Sequence, residues 1–183
     1  MDGSDHELMR RCAQGDWSAF EALVRRWEGP VARVVSRLAR DADVEDLTQE
    51  VFLRVLLARE RYRADWAFST WLYRIALNVA RDARRRRPWH LLGNHEPPDG
   101  RVTPIEMMTQ QELVRSIDQA IGSLPGKLRE ALVLRLYGEL TFPEIARLIG
   151  RPASTAKSRV CKALDRLRHE LKRRGIEDGH GSA

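Results

Sequence analysis

Apolar residues recur three and four positions apart along nearly the whole chain, and no stretch alternates with the period of two that a strand needs. The pattern predicts an all-α protein. Asp5 to Ala13 makes a short first helix. Asp16 stands where a cap belongs, ahead of WSAFEALVRRWEG, in which Phe20, Leu23, Val24 and Trp27 share a stripe. Gly29-Pro30 is expected to interrupt that helix, with a further one running through VARVVSRLAR. The next pattern spans roughly Val44 to Arg59. After the loop YRADWAF, Ser69 is placed to cap STWLYRIALNVARDARRRR.

The periodicity lapses from Pro88 to Pro104, where PWHLLGNHEPPDGRVTP is rich in Pro and Gly. Helices resume near Ile105. The expected organisation is two small helical domains, residues 1–87 and 105–174, joined by a flexible linker, 88–104. Residues 175–183 are expected to be a disordered tail.

In the second domain, TFPEIARLIG opens with Thr141 and carries Glu144 three residues on, a capping box. Pro143 falls in the first turn and Gly150 can end the helix. The helix that follows has an apolar stripe of Ala156, Val160, Ala163, Leu164, Leu167 and Leu171. Ser154, Thr155, Ser158, Cys161 and Lys162 face away from it, with Lys157 and Arg159 on the flanks. Small polar residues and a Lys that reach base edges, with cations alongside to hold phosphates, are what a DNA-reading helix needs. A basic amphipathic hairpin that merely folds shares the periodicity. The short turn, the capping box and the cation placement favour DNA reading.

In the first domain, Val44, Leu47, Val51, Val55 and Ala58 form a core stripe. Beside it lie Asp46, Gln49, Glu50, Leu53 and Leu57, a set that fits a protein-docking surface or an ordinary solvated face. The helix from Ser69 has Leu72, Ile75, Ala76, Val79 and Ala83 on one side and Trp71, Arg74, Asn78, Arg81 and Arg85 on the other. The loop before it offers Tyr62, Arg63, Asp65, Trp66 and Phe68. Interleaved aromatics and cations can stack unpaired bases while tracking a backbone. The alternative is that the aromatics are core and the RRRR run is a solvated helix end suited to the dipole.

Composition narrows the partners. Lys and Arg outnumber Asp and Glu by 32 to 26 in 183 residues, and the net charge of +6 favours a polyanion. Cys12 and Cys161 lie far apart without metal-ligand spacing, and both are expected as free thiols. His90, His95 and Glu96 sit in the linker without a pattern such as HExxH. Neither a phosphate loop nor a nucleophile constellation occurs, so no enzyme activity, catalytic residue, metal or cofactor is expected. The N-terminus lacks the apolar segment of a signal peptide, and no apolar run is long enough to span a bilayer. A cytoplasmic location is expected.

The stretches DLTQEVFLRV, FSTWLYRIALNVARD and LPGKLREALVLRLYGELTFPEIARLIGRPASTAKSRV, in this order and separation, resemble the extracytoplasmic-function group of bacterial sigma factors. The resemblance covers nearly all of the chain except linker and tail. It implies sigma domains two and four, and an alternative sigma factor that binds core RNA polymerase and directs it to promoter DNA. By resemblance, Asp46, Gln49, Glu50 and Leu53 dock on the polymerase clamp helices, and domain four rests on the flap. Arg63, Asp65, Trp66 and Phe68 belong to the loop that captures a flipped base of the minus-ten element. Trp71, Arg74, Asn78 and Arg81 lie on the helix facing that DNA. Thr155, Lys157, Ser158, Arg159 and Lys162 fall on the stretch that reads the minus-thirty-five element. An anti-sigma factor is implied as a further partner. Primary sigma factors carry two adjacent tryptophans where this chain has Trp71-Leu72, so one aromatic wedge is missing. A stand-alone operator-binding regulator shares the helix-turn-helix but would use its first domain for a ligand or for dimerisation.

Overall fold

The computed structural model describes residues 4–40, 42–86 and 110–176. Among them are eight α-helices and no strand: α1 (Asp5–Ala13), α2 (Trp17–Leu38), α3 (Val44–Ala58), α4 (Phe68–Arg86), α5 (Gln110–Ser123), α6 (Gly126–Leu136), α7 (Phe142–Ile149) and α8 (Ala153–Arg173). The linker expected at 88–104, with His90, His95 and Glu96, lies outside the described residues, as do 177–183 of the expected tail.

Helices α1 to α4 form the first module. Asp16 caps α2 as expected, accepting the backbone N–H groups of Ser18 at 3.0 Å and Ala19 at 3.3 Å. Asp43 does the same for α3, accepting from Glu45 and Asp46 at 2.8 and 3.1 Å. The expected break at Gly29-Pro30 does not occur: α2 runs unbroken for 22 residues with Pro30 inside it. Two features explain this. Gly29 has no Cβ to meet the proline ring, which removes part of the usual clash. Beyond Pro30, Val31, Val34, Val35 and Leu38 are all buried, so packing holds the second half in line. Ser69 does not cap α4 either. The helix starts one residue earlier, with the Ala67 carbonyl accepting from Thr70 and Trp71, and Ser69 lies in the first turn.

Helices α5 to α8 form the second module. Ala131, Leu132, Val133 and Leu134 are buried in succession because α6 is packed on by α7, α8 and α2. The capping box forms as read: Thr141 donates to the Glu144 carboxylate from its N–H at 2.8 Å and its hydroxyl at 2.6 Å. Gly150 ends α7 with φ of 63°, and the Arg151 N–H returns to the Ala146 carbonyl at 3.0 Å. Ala156, Val160 and Ala163 seat α8, whereas Leu164, expected on the same stripe, is exposed. The start of the expected tail is ordered. Gly175 turns with φ of 75°, the Ile176 N–H bonds the Leu171 carbonyl at 3.0 Å, and the Ile176 side chain is buried.

The two modules pack against each other through α2 and α4 on one side and α5, α6 and α7 on the other. One continuous apolar cluster runs from Leu8 in α1 to Ala163 in α8.

Candidate nucleic-acid interface

The turn at Gly150 sets the direction of α8, whose N-terminal half is seated on the second module by Ala156 and Val160 and turns its other face outward. Ser154, Lys157, Ser158, Cys161 and Lys162 are exposed there, and Thr155 and Arg159 are half-buried. All five residues expected to read the minus-thirty-five element therefore lie on or beside one face. Between that face and the first turn of α6 runs an open groove lined by Lys127, Ser154, Thr155, Ser158, Arg159, Lys162 and Arg166, among others, with no carboxylate in its lining. Among the described residues, none of Lys127, Arg159, Lys162 and Arg166 forms an ion pair. Four uncompensated cations around small hydroxyls can hold phosphates and leave room for base edges.

Lys127 and Arg166 were not singled out from the sequence. Arg166 continues the spacing of four through Ser154, Ser158 and Lys162, so extending that stripe would have found it. Lys127 reaches the groove only because α6 packs on α8, which no local pattern announces.

The minus-ten residues of the first module divide into three groups. Arg63, Asp65 and Asn78 are exposed. Trp66 stands in the loop with the Arg74 guanidinium 4.6 Å from its ring centroid and that of Arg147, on α7, at 5.5 Å. Phe68 and Trp71 belong to an aromatic cluster. Phe68 is 3% exposed and meets Trp27 edge-on at 5.6 Å, so it is a core ring that supports the loop rather than a surface open to a base. Trp71 is half-buried, edge-on to Tyr62 at 4.9 Å. The Tyr62 hydroxyl is hydrogen-bonded to His6 Nδ1, which ties α1 to the loop. Burial, and then the Asp5 charge, push the Tyr62 phenol up to about 12, so it keeps its proton. Leu72, which follows Trp71, is fully buried in the core.

Arg81 is half-buried. Its guanidinium makes a two-pronged contact with Glu130 of α6, at 2.6 and 3.1 Å. The hydrogen bond to Glu130 holds the Arg81 pKa above its ordinary value.

On α3, Asp46 and Gln49 are exposed, and Leu53 and Leu57 are 49% and 71% exposed. Glu50 is engaged within the module: it accepts from Arg54 at 2.8 Å, and Arg54 also reaches Asp82 of α4 at 3.0 Å. Phe52, not placed in the core stripe from sequence, is buried beside Val51 and Val55.

Comparison with known proteins gives this arrangement its class. Sigma-70 region 2 matches residues 23–90, and Sigma-70, region 4 matches residues 115–167. Those two regions, in that order on an all-helical chain, define a sigma-70-type transcription factor. The extracytoplasmic-function (ECF) RNA polymerase sigma-E factor of Escherichia coli K12 is 33% identical over 92% of this chain and 94% of its own length. The factor of the same name from Haemophilus influenzae is 33% identical over 92% and 95%. Among solved structures, CnrH in complex with the cytosolic domain of CnrY matches with a TM-score of 0.70 and 27% identity, over 93% of this chain and 98% of that one. The sigma factor RpoE of Bartonella quintana, in complex with the anti-sigma factor NepR, shares the fold with a TM-score of 0.68 over 84% of this chain and 96% of that one, at 20% identity. The chain belongs to the ECF sigma factors: it is an alternative sigma factor that binds core RNA polymerase and directs transcription initiation at promoter DNA. No described helix is long and apolar enough to cross a membrane.

Proposed function

We propose that the two modules divide the promoter between them, residues 1–87 taking the minus-ten element and residues 105–174 the minus-thirty-five element. The unpaired cations of the α8 groove carry this reading. Lys127, Lys157, Arg159 and Arg166 hold phosphates, and Thr155, Ser158 and Lys162 face base edges. In the first module, Arg63, Asp65 and Trp66 receive a flipped base, while Trp71, Arg74, Asn78 and Arg81 line the path of the strand. Phe68 supports that loop from below. Asp46, Gln49, Glu50 and Leu53 form the surface offered to the polymerase clamp helices, with exposed Leu57 extending its apolar part. The protein acts in the cytoplasm, as a regulator without catalytic chemistry of its own.

An anti-sigma factor is proposed as the partner that keeps the protein idle. Support comes from CnrH and RpoE, whose structures are complexes with CnrY and NepR. The decisive experiment is transcription from a genomic promoter library by purified core polymerase, with and without this chain. New starts that share two spaced elements are expected. Site-specific binding by the chain alone, without polymerase-dependent starts, would point to an operator-binding regulator instead.

A further inference from the structure

The stretch from Arg63 to Ala67 is exposed throughout, and an aromatic ring stands at either end of it. Phe68, after it, is held by burial, with the Trp27 and Trp71 ring centroids at 5.6 and 5.9 Å. Tyr62, before it, is only half-buried, so packing holds it less firmly. Its ring is edge-on to Trp71 at 4.9 Å and to Phe68 at 6.1 Å. Its hydroxyl is taken by His6 Nδ1, and the imidazole stacks beside the phenol with centroids 6.0 Å apart.

His6 can hold that ring because α1 is itself fixed. Leu8, Met9 and Cys12 are buried, and α1 packs on α2. Ser4 caps the helix by accepting from the Glu7 N–H at 3.3 Å, and Asp5 pairs with Arg26 of α2 at 2.6 Å. His6 therefore stands in the first turn of a seated helix, 56 residues from the side chain it holds. That side chain belongs to the residue at which the loop begins: the turn Arg59–Arg61 ends at Tyr62, whose backbone is extended. The phenol donates to a neutral imidazole, and an imidazolium donates back to the phenol oxygen, so the tie exists in either form of the ring.

We propose that His6 is a positioning residue for base capture: from α1 it holds the Tyr62 ring, and through it the loop of Arg63, Asp65 and Trp66, in the conformation that receives a flipped base. Phe68 fixes one end of the loop through the core, and His6 fixes the other through one hydrogen bond. A loop pinned at both ends has its receiving geometry built before DNA arrives, which spares the ordering cost at binding. The inference deepens the assignment of this loop to the minus-ten element and rests on it.

The test uses the full chain with three substitutions. Tyr62→Phe deletes only the hydroxyl and keeps the ring against Trp71. His6→Ala deletes its partner. His6→Asn places a side-chain oxygen near the position of Nδ1 and is the rescue. Thermal unfolding checks that each variant is folded. Tryptic cleavage after Arg63, followed by mass spectrometry, reads the loop directly. Base capture is read with core polymerase on a promoter recovered from the library, as the ratio of initiation on that promoter to initiation on each single-base substitution in the minus-ten element. Tyr62→Phe and His6→Ala are each expected to speed cleavage about fivefold, the weight of a hydrogen bond of ordinary net strength. Both should lower discrimination about fivefold at one minus-ten base and leave the minus-thirty-five preferences and polymerase affinity as they are. His6→Asn should restore both readings, and His6→Ala should add nothing in a Tyr62→Phe background.

Cleavage unchanged in the folded variants would overturn the inference, because His6 would then hold nothing. Faster cleavage with full discrimination kept at every minus-ten base would overturn it too, since the loop would not need the tie to read DNA. A general loss of initiation, equal on all promoters, would make His6 a stabilising residue only. A parent with no single-base preference in the minus-ten element would bring down the base-capture reading itself, and this inference with it.

Discussion

Asp16 shows how much one side chain settles at the junction of α1 and α2. Its carboxylate accepts from the Ser18 hydroxyl at 2.7 Å and N–H at 3.0 Å, and from Arg11 at 2.7 and 2.9 Å. Hydrogen bonds from Ser18, and next from Arg11, hold its pKa at about 2, down from an ordinary 3.8. The folded chain thus binds this proton more weakly than the unfolded chain. The stabilisation is fully present above the ordinary value and is lost as pH falls through the folded one. Asp16→Asn, which keeps a capping oxygen without the charge, should melt below the parent at pH 7, with the gap closing as pH is lowered from about 4 toward 2. Circular-dichroism melts across that range decide it, and a constant gap would assign the effect to geometry alone. Within the α8 groove, residues of like charge should separate by role. Lys162→Ala should change which bases are preferred at the minus-thirty-five element. Arg166→Ala should weaken every site alike and reduce the salt slope of binding by about 1. Equal losses at all sites for Lys162→Ala would remove it from base reading. The five residues expected on this face were legible because they lie on one helix. Lys127 was not, because its place depends on how α6 meets α8.

At the scale of elements, periodicity located the helices, and the errors occur where a local rule met tertiary packing. Asp5–Ala13 and the capping box of α7 were read as they stand. Pro30 was read as a stop because it removes one backbone donor and crowds the preceding turn. Gly29 lowers the crowding and the four buried residues after Pro30 outweigh the remainder. The missing donor remains a cost, so Pro30→Ala should stabilise the protein by about 2 kcal/mol, the helix penalty less the entropy that proline removes from the unfolded chain. Thermal unfolding should show a rise of about 4–8 °C for a chain of this size. A fall would mean that α2 needs the bend. Similarly, Gly150→Ala places a Cβ at a φ of 63°, and should cost about 1 kcal/mol. The same substitution should weaken minus-thirty-five binding, because that turn sets the angle at which α8 leaves α7.

At the scale of the whole molecule, two residues that sequence patterns did not place, Tyr73 and Glu130, lie at the seam between the modules. Tyr73 and Leu77 are buried although they fall outside the stripe read for α4, and Tyr73 lies against Gly138 of the other module. Glu130 is a buried acid whose hydrogen-bond partner, Arg81, comes from 49 residues away. No periodicity can reveal such contacts, because each module's own helices satisfy their own stripes. What the sequence did carry at this scale was the presence of two modules, each with a distinct charged or aromatic face. Two modest reads become one strong read only when something fixes the distance between them, and under the proposed division of the promoter that would be core polymerase. Geometry then sets a strict condition on the promoter. Inserting about five base pairs between the two elements turns one of them by roughly half a helical turn relative to the other. Initiation by the polymerase complex should fall by about 10²-fold, the size of an avidity lost when both sites cannot be engaged together. Binding of the free chain to a fragment bearing only the minus-thirty-five element should be unaffected, since the α8 groove acts there alone. Run-off transcription on a spacer series, beside gel-shift titrations of single-element fragments, separates the two. Initiation insensitive to the spacer would mean that the modules do not read the promoter as a unit.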